Sequence, residues 1–160
     1  MTQQNYEMGR CRVSLDERDL GETSGSVGVS FRTLWRERRS ERFGQSVVDR
    51  VCVGHEARVK MRLTEKSLEN LRSALPSCAQ GATELGLGAP GLRASTMAGT
   101  LRLHPEERAD SGRDIVMRRA VAEGALELEF GPGGARTFEV EFVGLMDAGA
   151  GEMARVRTED

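Results

Sequence analysis

The chain has 160 residues, 38% of them hydrophobic and 30% charged, with 23 Lys plus Arg against 25 Asp plus Glu. That is the length of one ordinary domain, long enough to bury about 70% of the surface its unfolded chain exposes. The near balance of charge excludes a general nucleic-acid binder, and the lack of any run approaching about 18 apolar residues excludes a helical membrane span.

The opening Met1-Thr-Gln-Gln-Asn-Tyr-Glu7 has no basic flank followed by an apolar block, so no secretory signal is expected. Cys11, Cys52 and Cys78 are a sparse, odd set, which points to a reduced compartment rather than a disulfide framework.

In chain order, the spacing first predicts a strand over Cys11–Leu15. Val27, Val29 and Phe31 then alternate with Gly28, Ser30 and Arg32, and the same parity reaches Trp35. Strict alternation marks a strand with one buried and one wet face. A basic run follows, Arg32, Arg36, Arg38, Arg39 and Arg42, offset by Glu37 and Glu41 and closed by Gly44. It reads either as a solvated loop or as a protruding hairpin that docks on an acidic surface. Val47–Val53 is Val-rich, and Val59, Met61 and Leu63 alternate with Arg58, Lys60 and Arg62, which predicts two more strands.

Leu68, Leu71 and Leu75 fall at helical spacing, with Thr64 or Ser67 to cap and Pro76 to stop, which predicts a short helix over about residues 65–75. A helix of that length is not stable alone and is expected to lie across a sheet. Residues 77–91 turn to Gly, Ala and Pro and read as a loop; residues 104–112 form a second, charged one. Further strands are expected at Ala98–Leu103, Ile115–Val121 and Ala154–Arg157. A hairpin is expected to join Leu126–Phe130, through Gly131-Pro-Gly-Gly134, to Phe138–Phe142. The fold class is mainly β: an antiparallel β-sandwich or partial barrel with one short α-helix. It forms a single domain over 1–160, with flexible ends at about 1–9 and 148–160.

Few motifs carry chemistry. Gly86-Leu-Gly-Ala-Pro-Gly91 matches G-x-G-x-x-G, but a helix precedes it and Pro90 sits inside it, so it reads as a loop rather than a pyrophosphate cradle. Cys52-Val-Gly-His55 offers one loose pair of soft ligands where zinc takes four, and on strand parity Cys52 shares a face with Arg50. His55 and His104, the two imidazoles, lie in no nucleophile motif. No catalytic residue, metal or cofactor is expected. Glu127, Glu129, Glu139 and Glu141 project on one wet face of the predicted hairpin. Like charges across strands cost about 0.2–1 kcal/mol per pair. Either a basic strand bearing Arg58, Lys60 and Arg62 lies alongside, or the acidic wall is itself useful.

The order and spacing of these pieces resemble the tail tube (major tail) proteins of tailed bacteriophages over most of residues 10–157. The resemblance rests on Asp19-Leu-Gly-Glu-Thr-Ser-Gly25 before a long strand, and on Val53-Gly-His-Glu-Ala-Arg-Val-Lys-Met-Arg-Leu-Thr-Glu65 as a Gly-led alternating strand. It continues with the single short helix at 66–76 and with Phe138-Glu-Val-Glu-Phe-Val-Gly-Leu-Met-Asp147 as the closing strand. It implies a β-sandwich subunit that assembles into hexameric rings, stacked into a hollow tube through which DNA passes. The segment from about Leu34 to Val48 resembles the family's long inter-strand loop, which implies contact with the adjacent ring through Arg36, Arg38, Arg39 and Arg42. An acidic lumen would repel phosphate, and Glu127, Glu129, Glu139 and Glu141 are the candidates to line it.

The implied partners are other copies of the chain, tail terminator and baseplate or tail-tip proteins, a tape-measure protein, and transiting DNA held without tight binding. No membrane anchor is expected, and the implied location is the virion, after assembly in the host cytoplasm. The competing readings are another ring component of the tail, such as a terminator or distal-tail subunit, and a monomeric β-sandwich binding module.

Overall fold

The computed structural model describes residues 11–64, 72, 79–80, 85–86, 91–106, 113–123 and 137–157. One antiparallel sheet dominates. Its strands are β1 (Cys11–Leu15), β2 (Arg18–Asp19), β3 (Gly28–Ser40), β4 (Ser46–Thr64), β7 (Gly99–Pro105), β8 (Ile115–Ala122), β9 (Thr137–Gly144) and β10 (Arg155–Val156). β5 (Ala79–Gln80) and β6 (Leu85–Gly86) pair separately with each other. The main sheet runs in the order β2-β1-β7-β8-β9-β4-β3, with β10 added beside β8. The chain is mainly β, as its alternating pattern predicts.

The sheet curls but does not close. Leu20 donates its N–H to Val13 on β1 at 2.9 Å, and two residues later the Glu22 carbonyl accepts the Thr64 N–H of β4 at 3.0 Å. Ser24 then bonds Arg62 at 2.8 Å. Two residues of chain reach at most about 7 Å, so β1 and β4, far apart in strand order, lie close together across a seam. The Asp19-Leu-Gly segment bridges it, with Leu20 fully buried beneath and the Asp19 carboxylate accepting the Gly21 N–H at 2.8 Å.

Inside the curl lie Val13, Leu101 and Leu103, Ile115 and Met117, and Val59, Met61 and Leu63, closed by Phe138, Val140 and Phe142. Each set is one parity of its strand, because successive side chains leave a strand on opposite faces. Gly144 is required where β9 passes this core. A Cβ there would stand 2.9 Å from Met117 and Met153 and 3.2 Å from Ala57.

Several expectations change. The two strands expected at Val47–Val53 and Val59–Leu63 are one strand of 19 residues, because Gly54 continues the ladder opposite Leu34. The expected helix over 65–75 lies outside the described residues apart from Arg72, which is helical; a four-residue helical turn stands at Ala94–Met97. The strand expected at Leu126–Phe130 also lies outside them, as do residues 1–10 and 158–160. The end expected to be loose from 148 onward is tied down through residue 157. Asp147 and Glu152 bridge a tight loop, Met153 and Ala154 pack on the core, β10 pairs with β8, and the Arg157 N–H bonds the Asp114 carbonyl at 2.9 Å. Glu152 accepts hydrogen bonds from Arg155 at 3.0 Å and Arg118 at 3.2 Å, and these hold its carboxyl below the usual range.

Candidate functional site

The feature that sets this domain apart is the outer half of β3 and β4. β4 pairs with β9 from Arg58 to Thr64, whereas residues 46–57 pair with β3 alone. The hairpin therefore leaves the sheet as a two-stranded arm, about 30 Å long at strand rise. The tip is a 3-10 turn, Glu41–Phe43, followed by Gly44 at φ 62 and Gln45 at φ 65, with Gln45 bonded back to Ser40 at 3.0 Å. What resembles a long inter-strand loop in sequence is thus a continuous ladder with a five-residue turn between its strands.

Two irregularities shape the arm. The register steps from Leu34 opposite Gly54 to Trp35 opposite Cys52, and from Arg38 opposite Asp49 to Arg39 opposite Val47. Val53 and Val48 are the extra residues, each bulging β4 by one position. Partners across an antiparallel ladder share a face, so the register separates the arm's two sides. One side, continuous with the core, carries Phe31, Thr33, Trp35, Glu37 and Arg39 with Ala57, His55, Cys52, Arg50 and Val47. The other carries Arg32, Leu34, Arg36 and Arg38 with Glu56, Gly54, Val51 and Asp49.

The four arginines expected to act together fall in three settings. Arg36 and Arg38 project from the second side, beside Arg32, and none of the three makes an ion pair among the described residues. Arg39 lies on the opposite side, where Glu37 takes hydrogen bonds from it at 2.7 Å and from Arg50 at 3.3 Å. Arg42 sits at the tip with its guanidinium 5.9 Å from the Phe43 ring centroid. The bulge at Val53 also brings Cys52 and His55 to one side despite their odd separation. Their Sγ and Nε2 stand 3.8 Å apart, and His55 Nδ1 lies 3.4 Å from Thr33 Oγ1. No group of three or more His, Cys, Asp or Glu suited to a metal occurs among the described residues.

Alternation predicts a buried face along β3, and this fails beyond Val29. Phe31 is 52% exposed, Trp35 57% and Phe43 62%, and Val47, Val48, Val51 and Val53 are exposed too. The reason is length: β9 ends at Gly144, near Ala57, and nothing among the described residues covers the arm past that level. Scattered exposed apolar residues are ordinary, whereas a contiguous set on one projection marks an interaction surface. The signal in the sequence was the sum of the apolar residues flanking the arginine run, more than one small core needs.

At the expected acidic face, Glu127 and Glu129 lie outside the described residues. Glu139 and Glu141 are on the outer face of β9, opposite Arg62 and Lys60 of β4. Arg62 bonds Glu139 at 2.8 Å, and Arg58 bonds Glu141 at 3.0 Å and Glu123 at 3.3 Å. The Glu141 contact holds the Arg58 guanidinium still more firmly protonated. The basic strand anticipated as one explanation does lie alongside, so at these two positions the face is charge-compensated. Elsewhere, buried Asp114 accepts His104 Nδ1 at 2.6 Å and faces Arg102 at 3.4 Å, an arrangement that anchors the start of β8. Among the described residues no helix is long and apolar enough to cross a membrane.

Neither a protein-family model nor a curated protein sequence matches the chain. Solved structures do. A chain of an extracellular contractile injection system, the PVC sheath-tube complex in its extended state, is similar with a TM-score of 0.55 and 10% identity, over 98% of this chain and 95% of that one. A chain of the anti-feeding prophage cap, the AFP tube terminating cap, is similar with a TM-score of 0.52 and 7% identity, over 94% of this chain and 89% of that one. At such identities the likeness establishes a shared fold, and it does so along almost the entire chain.

Proposed function

We propose that the protein is a structural, non-enzymatic subunit of a phage-tail-like tube, which self-assembles into hexameric rings that stack into a hollow conduit. The observation that carries this reading is the arm, a two-stranded ribbon with exposed aromatic residues and long edges that no strand among the described residues pairs. Such edges invite pairing with another chain and are a liability in a monomer. The fold shared with a sheath-tube complex and with a tube cap supports the class of assembly.

Charge supports self-association. Residues 28–57 contain six arginines against four carboxylates, so the arm is net positive in a chain whose net charge is -2. The rest of the molecule is correspondingly acidic, and the arm of one copy is attracted to the body of the next. An arm that docks on a different surface of its neighbour makes a heterologous contact, which closes into a ring or runs on as a filament. In this reading the partners are further copies, a terminator, tail-tip and tape-measure proteins, and the particle is the site of action. The outer face of β4 and β9 lines the bore, where Arg58, Lys60 and Arg62 balance Glu123, Glu139 and Glu141, so passing DNA meets no net basic surface to release its counterions.

The likeness to a terminating cap favours a second reading, a ring that ends the stack. Negative-stain electron microscopy of the purified protein at rising concentration separates the two. Stacked-ring tubes are expected; single closed rings at every concentration select the cap, and a persistent monomer rejects both.

A further inference from the structure

Three side chains of the arm form a relay that the tube reading leaves without a role. Cys52, His55 and Thr33 stand on one side of the ribbon, with Trp35 directly opposite Cys52 and Thr33 opposite His55. Positions 52 and 55 differ in parity, so a regular strand would send them to opposite faces. The bulge at Val53 removes that difference, and re-aiming a side chain is what bulges beside functional groups do. Cys52 Sγ then lies 3.8 Å from His55 Nε2, and His55 Nδ1 lies 3.4 Å from Thr33 Oγ1. A thiol that donates to Nε2 needs the imidazole proton on Nδ1, and Thr33 Oγ1 stands there to accept it. A nucleophile, a base and a third group that orients the base are the parts an activated thiol requires. Sγ also lies 3.6 Å from the Gly54 carbonyl, but that oxygen is not basic enough to take the proton. Cys52 and His55 are both exposed, so a small molecule reaches the sulfur without rearrangement of the arm.

We propose that Cys52 is a thiol–disulfide exchange site: His55 takes its proton, and the thiolate captures small organic disulfides from solution. Cys52 Sγ attacks one sulfur in line with the disulfide bond, and a new S–S bond forms as the old one breaks. The departing thiolate receives the proton held on His55 Nε2. One thiol and one disulfide enter, one mixed disulfide and one thiol leave, and no further oxidant is needed. The thiolate is the attacking species, and a free thiol titrating near about 8.5 is mostly protonated at neutral pH, so a base in contact matters most there. Trp35, directly opposite Cys52 and exposed, gives the organic part of the disulfide an apolar surface to lie on. The charged groups on this side are Glu37, Arg39 and Arg50, with Glu37 bonded to both arginines. Arg32, Arg36, Arg38, Asp49 and Glu56 face the other side, and among the described residues β3 alone pairs with this part of β4. Carboxylates and guanidinium groups do not ordinarily titrate between about pH 7 and 10, so a pH profile over that range reports the thiol and the imidazole. The inference does not depend on the tube reading.

The test follows the thione released from a neutral pyridyl disulfide by the full-length protein in a Cys78→Ser background, at a dilution where light scattering reports monomer. Cys52→Ser is expected to abolish the fast phase, which assigns it. His55→Gln is expected to slow that phase at least about tenfold near pH 7 and by less than about twofold near pH 10, where the thiol ionises without help. Thr33→Val is expected to slow it by a smaller factor near pH 7, and Thr33→Ser, which keeps the hydroxyl, to restore it. Circular dichroism checks that each variant keeps its fold. If His55→Gln does not, Thr33→Val against Thr33→Ser carries the same comparison. Equal rates for the parent and His55→Gln near pH 7 overturn the proposal. So does a loss that persists undiminished near pH 10, because it would reflect access to the sulfur and not removal of its proton. Thr33→Ser as slow as Thr33→Val overturns the positioning role of Thr33.

Discussion

Cys11 and Cys52 show what burial does to one functional group. Cys11 is 5% exposed at the start of β1, and burial pushes its thiol from 9.0 up to about 11. Cys52 is exposed on the arm. A thiol reacts as its thiolate, so the two separate kinetically. In a Cys78→Ser background, a thiol-specific reagent at neutral pH is expected to consume Cys52 at once and Cys11 on unfolding. Two fast thiols in the native protein would contradict the burial of Cys11. The sign of the linkage follows from the raised value: Cys11 binds its proton more tightly folded than unfolded. Its contribution to stability is complete below pH 9 and is lost as pH climbs through about 11. The unfolding midpoint should fall across that window, and by less in Cys11→Ala.

At the scale of elements, two turns hold left-handed residues, the arm tip at Gly44 and Gln45 and the β1–β2 turn at Asp16 and Glu17. The arm tip uses Gly44 at φ 62 for a left-handed position, where glycine carries no Cβ penalty. The β1–β2 turn places Asp16 at φ 50 and Glu17 at φ 67, where an L side chain costs about 1–2 kcal/mol. Asp16 offsets part of this, since its carboxylate accepts the Thr100 N–H at 2.8 Å and fastens the turn to β7. Among the described residues Glu17 has no contact of that kind, so Glu17→Gly is expected to stabilise the protein by about 0.5–1 kcal/mol in chemical denaturation. A loss of stability would show that the turn needs the Glu17 side chain. The arm is the contrasting element, held by its own ladder and turn with little core of its own, so its sequence is free to serve a partner.

For the whole molecule, the seam decides the shape. Leu20 is fully buried where the chain crosses from the edge of β1 to that of β4, and it belongs to the cluster that includes Val13 and Met61. Leu20→Ala leaves a cavity under the segment that, among the described residues, ties the two edges together. The expected cost is about 2–5 kcal/mol, read as a fall in the denaturation midpoint. A change below 1 kcal/mol would mean that the curl is kept by the rest of the sheet without this plug. The curl leaves the β3–β4 arm projecting past the end of β9, so the core and the exposed apolar residues of the arm occupy different parts of the same two strands.

Local pattern was enough for the class of the fold and for most of its strands. Cys11–Leu15 and Thr137–Gly144 are legible because a strand with one buried face must alternate, whatever packs on it. The basic run with its glycine stop left a solvated loop and a protruding hairpin both open, and the ladder of β3 on β4 decides for the hairpin; Arg58, Lys60 and Arg62 were recognisable as counterparts for acidic residues. The sequence could not tell that Phe31 and Trp35 continue the parity of Val29 without its burial, because burial depends on where a third strand, β9, stops. Nor could it place Cys52 beside His55, since a bulge is a mismatch in length between two strands and is written in neither alone; Arg36 and Arg38 part from Arg39 by plain alternation once β3 is seen to run on to Ser40. Periodicity is a property of one segment and survives reading it by itself; exposure, register and sidedness arise between segments, and the tertiary structure decides them.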